Sequence, residues 1–174
     1  MASSKVQELK STLGLGARAN KYRVMLAAPV GPKDDKKIDT LCKGGPIPAK
    51  SIGQIEVWTQ GRKLIIAGDA AYENTWSLTF YNTQDHELRK LFDDWLVFID
   101  DMENHKRKVT TNASYMTETA QIQQLDTRDN SVKLTYQFRN LWPTNISSID
   151  MADESNDMVT EFTVDFAFTH WIKM

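Results

Sequence analysis

Residues 159–170 constrain the fold more than any other stretch of this chain. Phe162, Val164, Phe166 and Phe168 alternate there with Glu161, Thr163, Asp165, Ala167 and Thr169. A period of two puts the apolar side chains on one face and the polar set on the other. A helix would scatter the phenylalanines around its circumference, so the pattern predicts a strand from Val159 to His170 with one face on a core. Such a strand needs partners of its own kind. Trp76, Leu78 and Phe80 alternate with Ser77 and Thr79, and Tyr22, Val24 and Leu26 share a face between Tyr22 and Ala28. Met116, Ala120 and Ile122 do the same before a turn at Thr127 to Ser131, and Val132, Leu134, Tyr136 and Phe138 after it. Ile52 to Trp58 and Arg62 to Ala67 read as two more strands around the turn Thr59-Gln60-Gly61. The second of these is a buried apolar strand, with Gly68-Asp69 as the next turn.

One helix interrupts the strands, spanning roughly His86 to Asn104. At about 100° per residue, Leu88, Leu91, Phe92, Trp95, Leu96, Phe98, Ile99 and Met102 form one broad apolar stripe. Asn82 or Thr83 can serve as its N-cap. The opposite face carries Lys90, Asp93, Asp94, Asp100 and Asp101, with Val97 at its centre. Acids ringing a small dry centre suit the docking of a basic partner. The fold class expected is therefore mainly β (α+β): an antiparallel β-sandwich or half-barrel with one flanking α-helix. A length of 174 residues suits one domain. Residues 1–21 read as a mobile arm or short helix that settles only against a neighbour, before a β domain over 22–174. Residues 29–51 read as a long polar loop containing four of the five prolines, and Pro143 to Asp157 as a second long connection.

The net charge of −2 conceals an uneven distribution. The arm holds Lys5, Lys10, Arg18 and Lys21 against Glu8, whereas the last thirty residues hold Asp150, Asp153, Glu154, Asp157, Glu161 and Asp165 against Lys173. Unlike ends suit head-to-tail association. The near-neutral total argues against a general nucleic-acid binder. No apolar run is long enough for a membrane helix, so no membrane role is expected.

Reactive chemistry is missing from the sequence. His86, His105 and His170 lie far apart in different element types, and Cys42 has no second cysteine. No metal-ligand spacing, internal disulfide or cofactor site is expected, and the lone thiol points to a reducing compartment for synthesis. Gly14-Leu15-Gly16 is half of a nucleotide fingerprint without its strand or its third glycine. There is no P-loop, nucleophile elbow or HExxH motif, so no catalytic residues are assigned and the chain reads as a non-enzyme.

Three stretches together resemble the tail tube protein family of contractile-tailed bacteriophages. The first is GRKLIIAGDAAYENTWSLTFYN at 61–82. The second is the helix that follows, with Arg89, Phe92 and Trp95. The third is LWPTNI at 141–146, its acidic connection and the final alternating strand through Trp171. The resemblance covers about residues 18–172. It implies hexameric rings that stack into a hollow tube inside a contractile sheath, in a virion tail assembled in the host cytoplasm. Four strands per subunit would close a barrel of roughly 24 strands, about 40–45 Å across its backbone, wide enough for duplex DNA.

The implied partners are other copies of the chain, a tail sheath protein, baseplate tube-initiator and tail-terminator proteins, and a tape measure protein and DNA that pass through without tight binding. A lumen that conducts a polyanion should not hold it, because each stable Lys or Arg contact to phosphate adds affinity. Thr117, Thr119, Gln121, Gln123, Thr163, Asp165 and Thr169 are the expected lumen lining. Asp93, Asp94, Val97, Asp100 and Asp101 are the expected sheath contacts. Lys5, Lys10, Arg18, Lys33, Asp34, Asp35, Lys36 and Lys37 are expected to reach an adjacent ring. Two rival readings share some of these features: the tube of a bacterial contractile injection or secretion system, and a small β-barrel that binds an apolar ligand.

Overall fold

The computed structural model describes residues 2–31, 35–71, 73–101, 106–107, 115–151 and 158–174. The chain runs through α1 (Ala2–Leu13), β1 (Tyr22–Met25), α2 (Asp35–Leu41), β2 (Cys42–Gly44), β3 (Ser51–Thr59), β4 (Arg62–Ala71), β5 (Thr75–Tyr81) and α3 (Glu87–Ile99). It continues through β6 (Asp100–Asp101), β7 (Lys106–Arg107), β8 (Gln121–Leu125), β9 (Val132–Arg139), β10 (Trp142–Ile146), β11 (Glu161–Ala167) and β12 (His170–Lys173). Two four-stranded antiparallel sheets form the body. The first has the order β1-β8-β9-β12 and the second β10-β11-β5-β2.

The alternating residues pack as their period demands. Phe162, Val164 and Phe166 of β11 stand opposite Phe80, Leu78 and Trp76 of β5, and all six are buried. Trp76 stacks on Phe138 of the first sheet with ring centroids 4.1 Å apart, which joins the two sheets in one core. α3 covers the same face of the second sheet. Phe92 lies 5.3 Å from Phe80 and edge-on to Phe166 at 5.7 Å, and Trp95 donates to the Tyr115 carbonyl at 2.8 Å. Offset and edge-to-face pairs of this kind add to the area term of burial.

Several expectations change. The single strand expected over 159–170 is two strands in two sheets. The Phe168 amide bonds the Asn74 carbonyl while the Thr169 amide bonds the Arg139 carbonyl, so the chain crosses sheets there. The Phe168 ring turns edge-on to Phe138 at 5.0 Å, keeping the crossing point dry. The stretch 29–51 is not all loop. Ile38 is buried beneath α2, and the Asp39 carboxylate accepts the Val24 amide at 2.9 Å. Of the connection expected at 143–157, residues 143–146 belong to β10. Pro143 fits because β10 is an edge strand with a bulge between Pro143 and Asn145.

α3 ends at Ile99 rather than Asn104, with Asp100 extended at φ −141°. Met102 and His105 lie outside the described residues. Neither Asn82 nor Thr83 caps α3. The N-cap is His86 in the left-handed region at φ 51°, and the Asn82 amide is engaged by His86 Nδ1 at 2.9 Å and the Thr160 hydroxyl. On β9, Thr135 and Gln137 are buried although they point away from the core, because β9 is an interior strand shielded by β8 and β12. Val132, at the turn end of the strand, is exposed.

The largest departure is the pair β3 and β4. They form a separate two-stranded sheet, paired from Ser51↔Ala71 to Thr59↔Arg62, and almost all of it is exposed. The stretch expected to be a buried strand, Arg62 to Ala67, has Leu64 at 54%, Ile65 at 52% and Ile66 at 44% exposure. Gly68-Asp69 is no turn but lies within β4. There Gly68 runs opposite a bulge, where an added Cβ would come within 3.1 Å of the Gly53 backbone. A side chain at that position would force the strands apart.

Candidate assembly surfaces

The hairpin of β3 and β4 has two chemically different faces. Register places Ile55 opposite Ile66 and Val57 opposite Leu64, so these four share one face. Gln54, Glu56, Trp58, Lys63 and Ile65 share the other. On that second face Lys63 is ion-paired with Glu56, and its ammonium lies 5.9 Å from the Trp58 ring centroid. One face is thus dry and the other internally charge-balanced, yet both stand in the open. A lone hairpin is marginal in water, and an exposed apolar strand pair is a template for association. Sequence reading missed this surface, although a signal was there. Leu64-Ile65-Ile66-Ala67 is apolar at successive positions, which marks a strand covered on both faces. Among the described residues of this chain, nothing covers either face.

The residues expected to line a lumen divide between the two sheets. Gln121 and Gln123 project from the outward face of the first sheet, beside Thr135 and Gln137. Thr163 and Asp165 project from the outward face of the second sheet, beside Thr79 and Ser77. The sheets share one core, so these outward faces point away from each other and one lumen can take only one set. Thr117 is buried in a bridge to Leu141. Thr119 and Thr169 lie outside the strands.

The second sheet's outward face is closely hydrogen-bonded. Asp165 accepts from the Ser77 hydroxyl at 2.5 Å and from the Asn145 amide at 3.0 Å. Thr79 and Thr163 hydroxyls lie 3.2 Å apart. Lys43 bonds both oxygens of Glu161 at 2.7 Å, and this carboxylate raises the lysine pKa above its ordinary value. On the first sheet Arg139 pairs with Glu118 at 3.0 Å and Arg23 with Asp39 at 3.6 Å. Both outward faces therefore hold most of their charge in pairs.

The expected sheath contacts fall on the open side of α3. Asp93, Asp94, Val97 and Asp100 are all exposed, Val97 by 51%. Asp93 lies 3.8 Å from Arg89 one turn earlier. Only the backbone of Asp101 is described, in the short ladder of β6 with β7. Among the expected inter-ring residues, Lys5 and Lys10 stand on α1, Arg18 follows it, and Lys36 and Lys37 lie on α2, where Lys37 pairs with Glu87. Lys33 and Asp34 lie outside the described residues, and Asp35 is described by backbone alone.

A cavity of about 340 Å³ opens between the sheets at one end of the body, lined by Tyr22, Ile47, Ile122, Leu134 and Tyr136 among others. The Tyr22 hydroxyl donates to the Cys42 carbonyl at 2.8 Å. Burial raises the Tyr22 pKa, with Cys42 adding to the effect. Burial also pushes the Cys42 thiol up to about 11, so at neutral pH it is a protonated, inert packing group. Deeper in, Trp76, Phe138 and Phe166 fill the space between the layers. Among the described residues no three His, Cys, Asp or Glu side chains gather as metal ligands would, and no helix is long and apolar enough to cross a membrane.

Known proteins share this architecture. A family model described as phage tail tube protein matches residues 17–174. Tail tube protein gp19 of Enterobacteria phage T4 is 28% identical over 132 residues, covering 75% of this chain and 78% of that protein. Its counterpart in phage T6 matches to the same extent. Among solved structures, a chain of the sheath–tube complex of the extracellular contractile injection system PVC, in its extended state, superposes with a TM-score of 0.61. Its identity is 14%, and the match covers 97% of this chain and 96% of that one. A chain of the anti-feeding prophage baseplate gives a TM-score of 0.60 at 12% identity, over 88% of this chain and 92% of that one.

Proposed function

This chain belongs to the phage tail tube protein family, and we propose that its copies close into hexameric rings which stack into the hollow conduit of a contractile tail. The observation that carries this reading is the hairpin of β3 and β4, an extended sheet with Ile55, Val57, Leu64 and Ile66 bared on one face. Its apolar face lies against a neighbouring copy, and its charge-balanced face continues the tube wall. Only residues 72–74 separate β4 from β5, so the hairpin extends from the second sheet. The outward face of that sheet, with Ser77, Thr79, Thr163 and Asp165, then lines the lumen.

That lining suits conduction of DNA. Asp165 is held by Ser77 and Asn145, and Lys43 is held by Glu161. A cation already paired with a carboxylate gains little from a passing phosphate, so the wall offers few sites for counterion release. α3 and the first sheet pack on the opposite side of the second sheet, which turns them toward the tube exterior, where a sheath protein would lie. Tube-initiating and tube-terminating proteins would meet the two ends of the stack. Electron microscopy of the concentrated protein tests the reading. Hollow stacked rings with sixfold views are expected, and particles that stay monomeric at every concentration would overturn it.

A further inference from the structure

Among the described residues, α1 leaves its apolar side chains uncovered. Val6, Leu9 and Leu13 lie at spacings of three and four, which aligns them in one seam, and each is more than half exposed. Lys5 stands on one flank of the seam and Lys10 on the other. Twelve residues are too few for a stable isolated helix in water, so α1 needs a surface to lie on. Its root is already fastened. Lys21 bonds Asn130 at 3.0 Å, and the Leu125 amide bonds the Lys21 carbonyl at 2.9 Å. The family match begins at residue 17, after α1 has ended.

The open side of α3 has the complementary pattern. Val97 is its exposed apolar centre, with Leu96 and Phe98 half-buried beside it. Asp93 lies on one flank, 3.8 Å from Arg89, and Asp94 on the other, while Asp100 follows the end of the helix. Lys90, two turns before Val97 on the same face, is exposed with its ammonium held by the Asp85 carbonyl at 3.1 Å, so the face keeps a net negative charge. The helices also match in length, twelve residues against thirteen, or about 18 and 20 Å at 1.5 Å per residue. An apolar seam flanked by lysines fits an apolar centre flanked by aspartates, as flanking charges choose partners in paired helices.

We propose that α1 of one copy packs along the open side of α3 of a second copy, with Val6, Leu9 and Leu13 over Val97 and with Lys5 and Lys10 against Asp93, Asp94 and Asp100. This rests on the tube reading, which turns α3 to the exterior, and it makes α1 a strap between neighbouring copies. The interface is heterologous, so it closes with a ring or propagates along a stack.

Cysteine cross-linking between separately made variants tests the proposal. Full-length Leu9→Cys and Val97→Cys proteins, mixed and oxidised at assembly concentration, should give a disulfide dimer. Neither variant alone should exceed the wild type, whose Cys42 is buried. Val6→Cys and Leu13→Cys serve as alternative seam positions should one place its sulfur out of line. Independently, the Lys5→Glu, Lys10→Glu double variant should raise the concentration needed for tubes by about three- to tenfold, and Asp93→Lys with Asp94→Lys in the same chain should restore it. No dimer from any of the three mixtures would overturn the contact. So would an intrachain disulfide as the only product of the Leu9→Cys, Val97→Cys double variant. Protection of Val97→Cys from maleimide by added sheath protein, without cross-linking to α1, would assign the face to the sheath and equally overturn it. Wild-type tubes without the cross-link refute the strap alone, whereas wild-type protein that forms no rings refutes the tube.

Discussion

Replacing both Ile55 and Ile66 by threonine separates the role of the hairpin in assembly from any role in folding. The two residues face each other across β3 and β4 and are 48% and 44% exposed in the single chain. Threonine keeps the β-branch and so the strand propensity, while the change removes about two carbons of apolar surface at each site. At about 0.8 kcal/mol per buried carbon the full difference is roughly 1.6 kcal/mol per site. Only the half still exposed remains to be buried by a neighbour, which leaves about 0.8 kcal/mol per site. The pair then costs about 1.6 kcal/mol per contact, or roughly a 15-fold rise in the concentration needed for assembly.

Exposed substitutions usually change monomer stability by no more than about 0.5 kcal/mol. Pelleting across a concentration series reads the assembly change, and urea unfolding of dilute protein reads the monomer. Pelleting at the wild-type concentration would refute an interface on this face. A monomer destabilised by more than about 1 kcal/mol would show instead that the chain covers the face itself. Gln54→Ser, on the charge-balanced face, is the control and should change neither readout.

Two further outcomes follow from the body. Trp76 is 1% exposed, stacks on Phe138 and donates its indole N–H to the Pro46 carbonyl at 2.9 Å. Trp76→Phe keeps a ring but loses that bond and leaves a void, and should cost about 2–3 kcal/mol in urea unfolding; a loss under about 0.5 kcal/mol would contradict the packing. Glu87, Asp126 and Asp129 have folded pKa values below their ordinary 4.5, 3.8 and 3.8, chiefly through hydrogen bonds from Lys37 and from the Arg128 and Ser131 amides. Their contribution is complete above the ordinary values and is lost as pH falls through the lowered ones. Melting temperature should therefore be flat from pH 7 to 5 and fall below about pH 4.5, with a smaller fall in Asp126→Asn.

The body was legible because its strands carry their own contrast. Phe162, Val164 and Phe166 against Thr163 and Asp165 define a half-buried strand whatever its neighbours, and the Leu88 to Ile99 stripe defines its helix in the same way. The sheet crossing at Phe168 was not legible, because alternation continues through it and only the choice of partner strand changes. Asp39 was hidden among the charges of residues 29–51, since its bond to the Val24 amide exists only once α2 lies beside β1. Gln121 and Thr163 resemble each other as polar strand residues. Nothing local says that they point to opposite sides of one sandwich. The hairpin was misread for a further reason: an apolar strand promises burial, and sequence does not say whose surface will supply it.

The hairpin also differs from the body in when it can form. Thr59 and Arg62 pair across a two-residue turn, a closure that takes microseconds. Trp76 must find Phe166, and Val24 must find Ile122, across about half of the chain. Pairings so distant in sequence place the body among folds that need milliseconds to seconds. The hairpin's exposed apolar surface can thus be sampled well before the body that carries it has folded. Because a lone hairpin is marginal in water, it opens and closes many times before the body is finished, and its apolar residues stay bared throughout that interval, when crowding favours clumps.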